Sequence, residues 1–180
     1  MKNIILLFLF IGLFQMSKAQ DIYQIVDGEV SFFSTTPIED IDAVNKTVKG
    51  LINTKNNEFA FIVTIVGFHF KNLLMEEHFN ENYMESDQFK TAMFKGVILE
   101  KIDYSKDGEY EVSAKGTLNV HGVIKDRVIK GKLIVKKGKI QLLADFDIKL
   151  EDHDIDIPKV VTEKIAETVA VKVNANFEKK

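Results

Sequence analysis

The sequence LLADFDIKL, residues 142–150, places apolar and polar side chains in strict alternation over most of its length. Its apolar positions share one face of an extended chain, because successive side chains of a β-strand point to opposite sides. Residues 169–177, VAVKVNANF, show a similar pattern near the end of the chain. This alternation is typical of a strand with one face against a core and the other in water. The two stretches therefore predict a fold built from antiparallel sheet.

Weaker alternation extends this prediction along the chain. It recurs at residues 30–32, 48–52, 96–98 and 118–120. Short polar segments typical of hairpin turns separate the strands, at residues 56–57, 106–108, 126–127 and 136–138. We therefore expect an all-β protein with short helices, in which about eight strands form a meander. A sheet of this size with an apolar face removes its exposed edges by closing, which predicts an antiparallel β-barrel.

The interior of a barrel with about eight strands holds either packed side chains or one small ligand. The alternation predicts which apolar side chains point into it. These candidate interior residues are Phe32, Phe61, Val63, Ile65, Leu118, Val120, Phe146 and Ile148.

Residues 59–66 are apolar on both faces, which predicts that this strand is covered on its outer side as well. A helix over residues 71–84 is the candidate cover, because Met75, Phe79 and Tyr83 recur every four residues. Capping signals at residues 36–39, including a proline at the first helical position, predict a short helix over residues 37–44. A further helical turn is expected after Pro158, through Val161 and Ile165.

The first residues have the pattern of an export signal. Lys2 precedes an uncharged apolar stretch over residues 4–14, and small residues lie at Ser17 and Ala19. The stretch is shorter than the roughly 20 residues that a membrane-spanning helix needs. We expect residues 1–19 to be a signal peptide and residues 20–180 to form one exported domain that is periplasmic, with secretion to the medium left open by the sequence. The chain has no cysteine, so neither a disulfide nor a lipid-modified cysteine anchor is expected.

Charge and motif content argue against several classes of function. Loss of Lys2 and Lys18 with the signal leaves 22 basic and 27 acidic residues, a net charge of −5, which disfavours nucleic acid as a partner. The four histidines do not have the spacing of a metal site, and the serines lie in no nucleophile motif. We therefore expect no metal, no cofactor and no enzymatic activity.

The stretch GTLNVHGV, residues 116–123, allows two interpretations. In the first, it is a strand whose polar face carries Thr117, Asn119 and His121, and its glycines mark a bulge and a turn. In the second, His121 closes the mouth of the barrel or contacts the head group of a ligand. The sequence leaves both open.

Three stretches carry a resemblance to a known family. They are the glycine-bounded strand with its His-Gly-Val at residues 116–125, ESDQF at 85–89 followed by TAMF at 91–94, and FDIKLEDHDI at 146–155. In this order they resemble the YceI-like family of secreted or periplasmic bacterial proteins, over about residues 28–177. Two departures stand out: Tyr83-Met84 replaces a histidine-leucine pair common in the family, and Lys90 replaces a proline.

The resemblance implies a lipocalin-like antiparallel barrel whose apolar tunnel binds a polyisoprenoid or fatty chain. By analogy, Tyr83, Asn119 and His121 are candidates for the polar mouth of that tunnel. The main functional hypothesis is therefore the binding or transport of an apolar, lipid-like ligand. The alternative is a stress-related interaction module with a solid core and no ligand, and homodimer formation is left open by the sequence.

Overall fold

The computed structural model describes residues 21–158 and 163–180. The predicted signal peptide lies outside these residues. The described part forms ten strands: β1 (Ile22–Thr35), β2 (Asp40–Asn45), β3 (Val48–Asn53), β4 (Glu58–Thr64), β5 (Phe68–Phe70), β6 (Thr91–Ile98), β7 (Gly108–Val120), β8 (Val123–Lys136), β9 (Lys139–Lys149) and β10 (Thr168–Lys179). One α-helix, α1 (Leu73–His78), continues into a π-helical turn over Phe79–Tyr83. Short 3-10 turns cover Ile65–Gly67 and Leu150–His153.

Eight of these strands close into an antiparallel barrel, as predicted. Their order is β1-β3-β4-β6-β7-β8-β9-β10, and β10 pairs with β1 to complete the circle. The β1–β10 ladder runs from Tyr23 opposite Lys179 to Phe33 opposite Ala170. The upper half of β1 also pairs with β2, and β2 pairs with β5, so these two strands extend the wall at one end. We call this end, where β1 and β7 finish, the top of the barrel.

The interval between β8 and β9 is only partly closed by strand pairing. Their ladder ends at Gly131 opposite Ala144, although both strands continue toward the top. Beyond that point, Nη2 of Arg127 donates a hydrogen bond of 2.7 Å to the carbonyl oxygen of Asp147. The 3-10 turn Leu150–His153 contacts both strands above this bridge. Side-chain and loop contacts therefore complete the wall there.

The helix predicted over residues 37–44 is wrong. The hydroxyl of Thr36 does accept a hydrogen bond from the Glu39 N–H, at 3.1 Å, as a capping residue would. The N–H of Thr36 also donates to the carbonyl of Glu39, so the segment closes the β1–β2 hairpin. The same residue types favour turns and helix starts, and pairing of β2 with β1 selects the turn.

The turn predicted at residues 126–127 is also wrong. Asp126 and Arg127 lie inside β8, and the β7–β8 turn is formed by His121 and Gly122, whose φ angles are +51° and +77°. A two-residue hairpin turn of this kind needs positive φ at both positions, which glycine supplies at no steric cost. The helical turn predicted after Pro158 is described only in part. Ile165 lies in a non-helical turn and bend region, whereas Val161 lies outside the described residues.

The helix predicted over residues 71–84 is confirmed over the shorter range of α1 and its π-helical turn. It was expected to cover the outer side of β4, and it does not lie there. Its side chains Met75 and Phe79 line the interior of the barrel at the top. The outer face of β4 carries Ala60 and Ile62, which remain half-buried. Residues 65–67 leave the strand in the 3-10 turn, so the doubly apolar stretch is shorter as a strand than its sequence suggests.

Gly116 lies in the middle of β7, opposite Gly96 of β6, and not at a strand end as expected. The two backbones approach so closely that a Cβ at Gly116 would lie 2.0 Å from the carbonyl oxygen of Lys95. A Cβ at Gly96 would lie 2.4 Å from the carbonyl oxygen of Lys115. Both glycines are therefore required by close packing of the two strands.

We predict that Gly116→Val lowers the free energy of unfolding by about 2 to 3 kcal/mol, because backbone atoms of β6 would have to move. Chemical denaturation followed by circular dichroism measures the change. Lys115→Val is the matched control, since this neighbouring side chain on β7 is exposed. Equal stability of the two variants would contradict the close approach of the strands.

Candidate ligand-binding cavity

The barrel encloses a cavity of about 510 Å³ whose walls are mainly apolar. The walls come from the inward positions of the strands and from the segment over the top. Nine of the eleven residues predicted from the sequence line it: Phe32, Phe61, Val63, Ile65, Tyr83, Leu118, Val120, Phe146 and Ile148. The period-two alternation therefore assigned eight of them to the interior correctly, whereas Tyr83 was chosen from the resemblance. Contact of these side chains with a ligand stays a prediction.

An aromatic cluster forms the upper wall. Phe79, at the start of the π-helical turn, stacks on Phe32 of β1 with ring centroids 5.4 Å apart. Phe68 and Phe70 of β5 meet Phe79 at 5.6 and 5.1 Å. Rings at these separations attract each other beyond the burial of their area. The cluster thus fixes the helical segment over the top of the barrel.

The lower cavity narrows into a buried core. Phe59 contacts Phe61, Phe94 and Phe177, with ring centroids 6.0 to 6.4 Å apart. Below them the floor is aliphatic and buried, with Ile52, Ile98, Val112, Leu133 and Leu142. The loop between β6 and β7 packs against this core through Ile102 and Tyr104. The base of the barrel is therefore filled with side chains.

Polar groups in the lining come mainly from the segments at the top. They are Ser34, Glu39, Asn72, His78, Tyr83 and Lys164, and Lys130 of β8 lines the cavity as well. Burial raises the pKa of the Tyr83 hydroxyl above its usual value, so this phenol is a neutral donor at physiological pH. The side chain of Asn72 caps α1 by accepting from the Leu74 N–H at 2.9 Å. This arrangement suits a ligand with a long apolar part inside and a polar end at the top.

Asn119 and His121 do not line the cavity, unlike the other predicted residues. Asn119 lies between Leu118 and Val120, which point inward, so its side chain is on the opposite face of β7. Its Oδ1 is buried and has no hydrogen-bond partner among the described residues. The strand interpretation of residues 116–123 therefore describes Asn119, whose side chain lies outside the cavity, whereas a contact of His121 with a ligand head group stays a prediction.

His121 joins three segments at the top. Its Nδ1 donates to the carbonyl oxygen of His153 at 3.1 Å, and its Nε2 lies 3.1 Å from Oε2 of Glu85. The ring of Phe89 packs edge-on against it at 4.4 Å. We call these four residues, Glu85, Phe89, His121 and His153, the top junction. It holds the segment after α1 against the β7–β8 turn.

Several lining residues were missed at the sequence level. Phe68 and Phe70 alternate around His69, but this signal is only three residues long. Val169, Val171 and Val173 belong to the recognised alternation of residues 169–177 and line the cavity too. That alternation could have identified these three valines as candidate interior residues, but they were not included. A strand of only three residues is too short to show a clear alternation, so the sequence did not indicate that β5 lies at the cavity.

His153 of the top junction is fully buried, and burial lowers the pKa of its imidazole. The unfolded chain binds a proton at this side chain near pH 6.5, whereas the folded chain does so only at lower pH. Protons therefore favour the unfolded state below about pH 6.5. Stability contributed by neutral His153 is present above this pH and is lost as the pH falls toward the folded pKa.

We predict that the free energy of unfolding falls as the pH drops below about 6.5, by up to about 1.4 kcal/mol per pH unit from this one group. Denaturant titrations across this range measure the slope. His153→Gln should reduce the slope, because this variant removes the buried imidazole. An unchanged slope in His153→Gln would show that another group is responsible.

Comparisons with known proteins agree with this architecture. The model of the YceI-like domain matches residues 18–177. A comparison with curated protein sequences gives no match. Among solved structures, a polyisoprenoid binding domain from Saccharophagus degradans superposes with a TM-score of 0.76 at 15% identity, covering 88% of this chain and 98% of that one.

Two further structures share the fold. BcnA from Burkholderia cenocepacia has a TM-score of 0.70 at 11% identity, over 83% of this chain and 95% of its own. A YceI protein from Campylobacter jejuni has a TM-score of 0.55 at 16% identity, over 92% and 88% of the two chains. At these identities the superpositions establish the fold alone, whereas the family model spans most of the chain. This protein therefore belongs to the YceI-like family.

Proposed function

We propose that this protein binds an apolar, chain-like lipid, of the polyisoprenoid or fatty-chain class, in the barrel cavity and carries or stores it. The observation that supports the proposal is the cavity of about 510 Å³ with its mainly apolar lining. Ligand pockets of proteins commonly measure about 300 to 1,000 Å³. The alternative, an interaction module, requires an interior filled by the barrel's own side chains, so the cavity favours the carrier.

The free energy of binding of such a ligand comes mainly from burial of its apolar chain. Transfer of each methylene group from water into the cavity contributes about 0.8 kcal/mol, so a long chain binds without many polar contacts. The neutral hydroxyl of Tyr83 then offers one hydrogen bond to a polar end group at the top. We propose binding without chemical conversion, because most of the lining consists of side chains that cannot act as acid, base or nucleophile.

A variant that fills the cavity tests this function. Ala114 lines the cavity, and Ala114→Phe adds an apolar ring to that space. We expect its affinity for cis-parinaric acid, a fluorescent fatty acid, to fall at least about tenfold, because the space for the chain is lost. Fluorescence titration measures the affinity, and denaturant titration checks that the variant folds.

Lys115→Phe is the matched control, since this adjacent side chain points away from the cavity and is exposed. It should bind the probe as the unmodified protein does. The carrier function would be excluded if the unmodified protein took up no apolar chain. Equal affinity in folded Ala114→Phe would place the binding site elsewhere.

We also propose that the mature protein starts at Gln20 and acts in the periplasm. The proposal rests on the signal-like sequence of residues 1–19, which lie outside the described part of the structure. The intact mass of protein recovered from the periplasm of the expressing bacterium should lack these residues. Full-length protein retained in the cytoplasm would contradict export.

A further inference from the structure

Three of the large apolar side chains that are exposed near the top of the barrel come from α1 and the β1–β2 turn. Leu73 and Leu74, in the first turn of α1, are 80% and 55% exposed, and Ile38 of the β1–β2 turn is 58% exposed. We call these three residues the apolar rim. Exposed apolar side chains that lie close together commonly mark a site of interaction.

Strand pairing brings the rim together from two separate segments. In the pairing of β2 with β5, Ala43 lies opposite Phe70. The residues that follow Phe70 and precede Ala43, Lys71 and Asp42, form an ion pair in which Nζ lies 2.7 Å from Oδ1. The chain entering α1 therefore runs alongside the start of β2, next to the turn that carries Ile38. The rim belongs to one edge of the barrel opening.

The rim is continuous with the cavity. Leu74 is exposed to solvent and also lines the cavity, as do Glu39 and Asn72 beside it. An apolar surface thus leads from the inner wall, over Leu74, to the outside. A ligand with a long apolar chain is poorly soluble in water, so a continuous apolar route from its source to the cavity lowers the barrier to transfer.

The charges around the rim are of both signs. Lys71 and Lys164 are basic, whereas Glu39, Asp40 and Glu77 are acidic. This mixture supplies no field that would select an anionic surface. The chemistry of the rim therefore fits a partner that is apolar and electrically neutral.

We propose that the apolar rim docks on the surface of a neutral or zwitterionic phospholipid bilayer, with the mouth of the cavity facing the lipid. The reason for docking, exchange of a lipid ligand, rests on the proposed function, but the docking itself requires no ligand. A second copy of this chain is a poorer partner, because a specific protein interface buries about 800 Å² on each side and the rim has three side chains.

A single introduced tryptophan tests the docking directly, since the chain contains none. In Leu73→Trp, we expect phosphatidylcholine vesicles to shift the emission to shorter wavelength, and lipids with brominated chains to quench it, because the indole enters the bilayer interface. Leu99→Trp is the matched control. Leu99 is 56% exposed and follows β6 at the base of the barrel, so its emission should not change.

Four results would overturn the proposal. They are no shift in Leu73→Trp, equal shifts in both variants, a shift that requires phosphatidylglycerol in the vesicles, or a shift that follows protein concentration in the absence of vesicles. The third result would mean that charge drives the binding, and the fourth that the rim contacts a second copy of the chain. None of these readings depends on whether the cavity is occupied.

Transfer kinetics then connect the rim to exchange of the ligand. Ile38→Glu combined with Leu73→Glu changes two rim residues that do not line the cavity. We expect transfer of cis-parinaric acid from the protein to phosphatidylcholine vesicles to slow at least about tenfold, while Leu99→Glu transfers it normally. An unchanged rate would overturn the role of the rim in exchange. Failure of the unmodified protein to bind the probe would instead overturn the proposed function, leaving the emission test valid.

Discussion

Pairing between the first and last strands is the interaction on which the rest of the structure depends. β1 and β10 pair along nearly their whole length, which turns a meander with two open edges into a closed wall. Because the wall is closed, the inward side chains of the barrel strands all face the same interior, and those of β10 line the cavity. It also leaves the upper half of β1 to support β2 and β5, and these strands in turn position α1 and the aromatic cluster over the top.

Much of this architecture could be predicted from side-chain alternation, since a period of two assigns each residue of a strand to one face. Phe146 and Ile148, for example, were assigned to the interior from their neighbours alone.

Predictions that rested on short sequence signals were less accurate. Residues 36–39 carry hydrogen-bonding groups that suit both a helix start and a tight turn, and only the pairing of β2 with β1 decides between them. Asp126-Arg127 has the polarity of a turn, but backbone geometry with positive φ occurs at His121-Gly122 instead.

The stretches that carry the family resemblance meet in space without forming the cavity wall through their polar residues. Glu85 and Phe89 come from one stretch, His121 from another and His153 from a third, and together they make the top junction. Their physical role here is to hold the segment after α1 in place, and so to keep Tyr83 against the cavity. A sequence motif of polar residues is easily interpreted as a ligand contact, because its partners are distant along the chain and cannot be seen from spacing.

We propose that the cavity holds an apolar chain and is not a packing defect of a solid barrel. Native mass spectrometry of the protein, purified from its own cells without detergent, is the direct test. We predict a bound mass in a one-to-one ratio that organic extraction releases as an apolar lipid. A mass equal to that of the polypeptide alone, unchanged after incubation with prenyl or fatty chains, would contradict it.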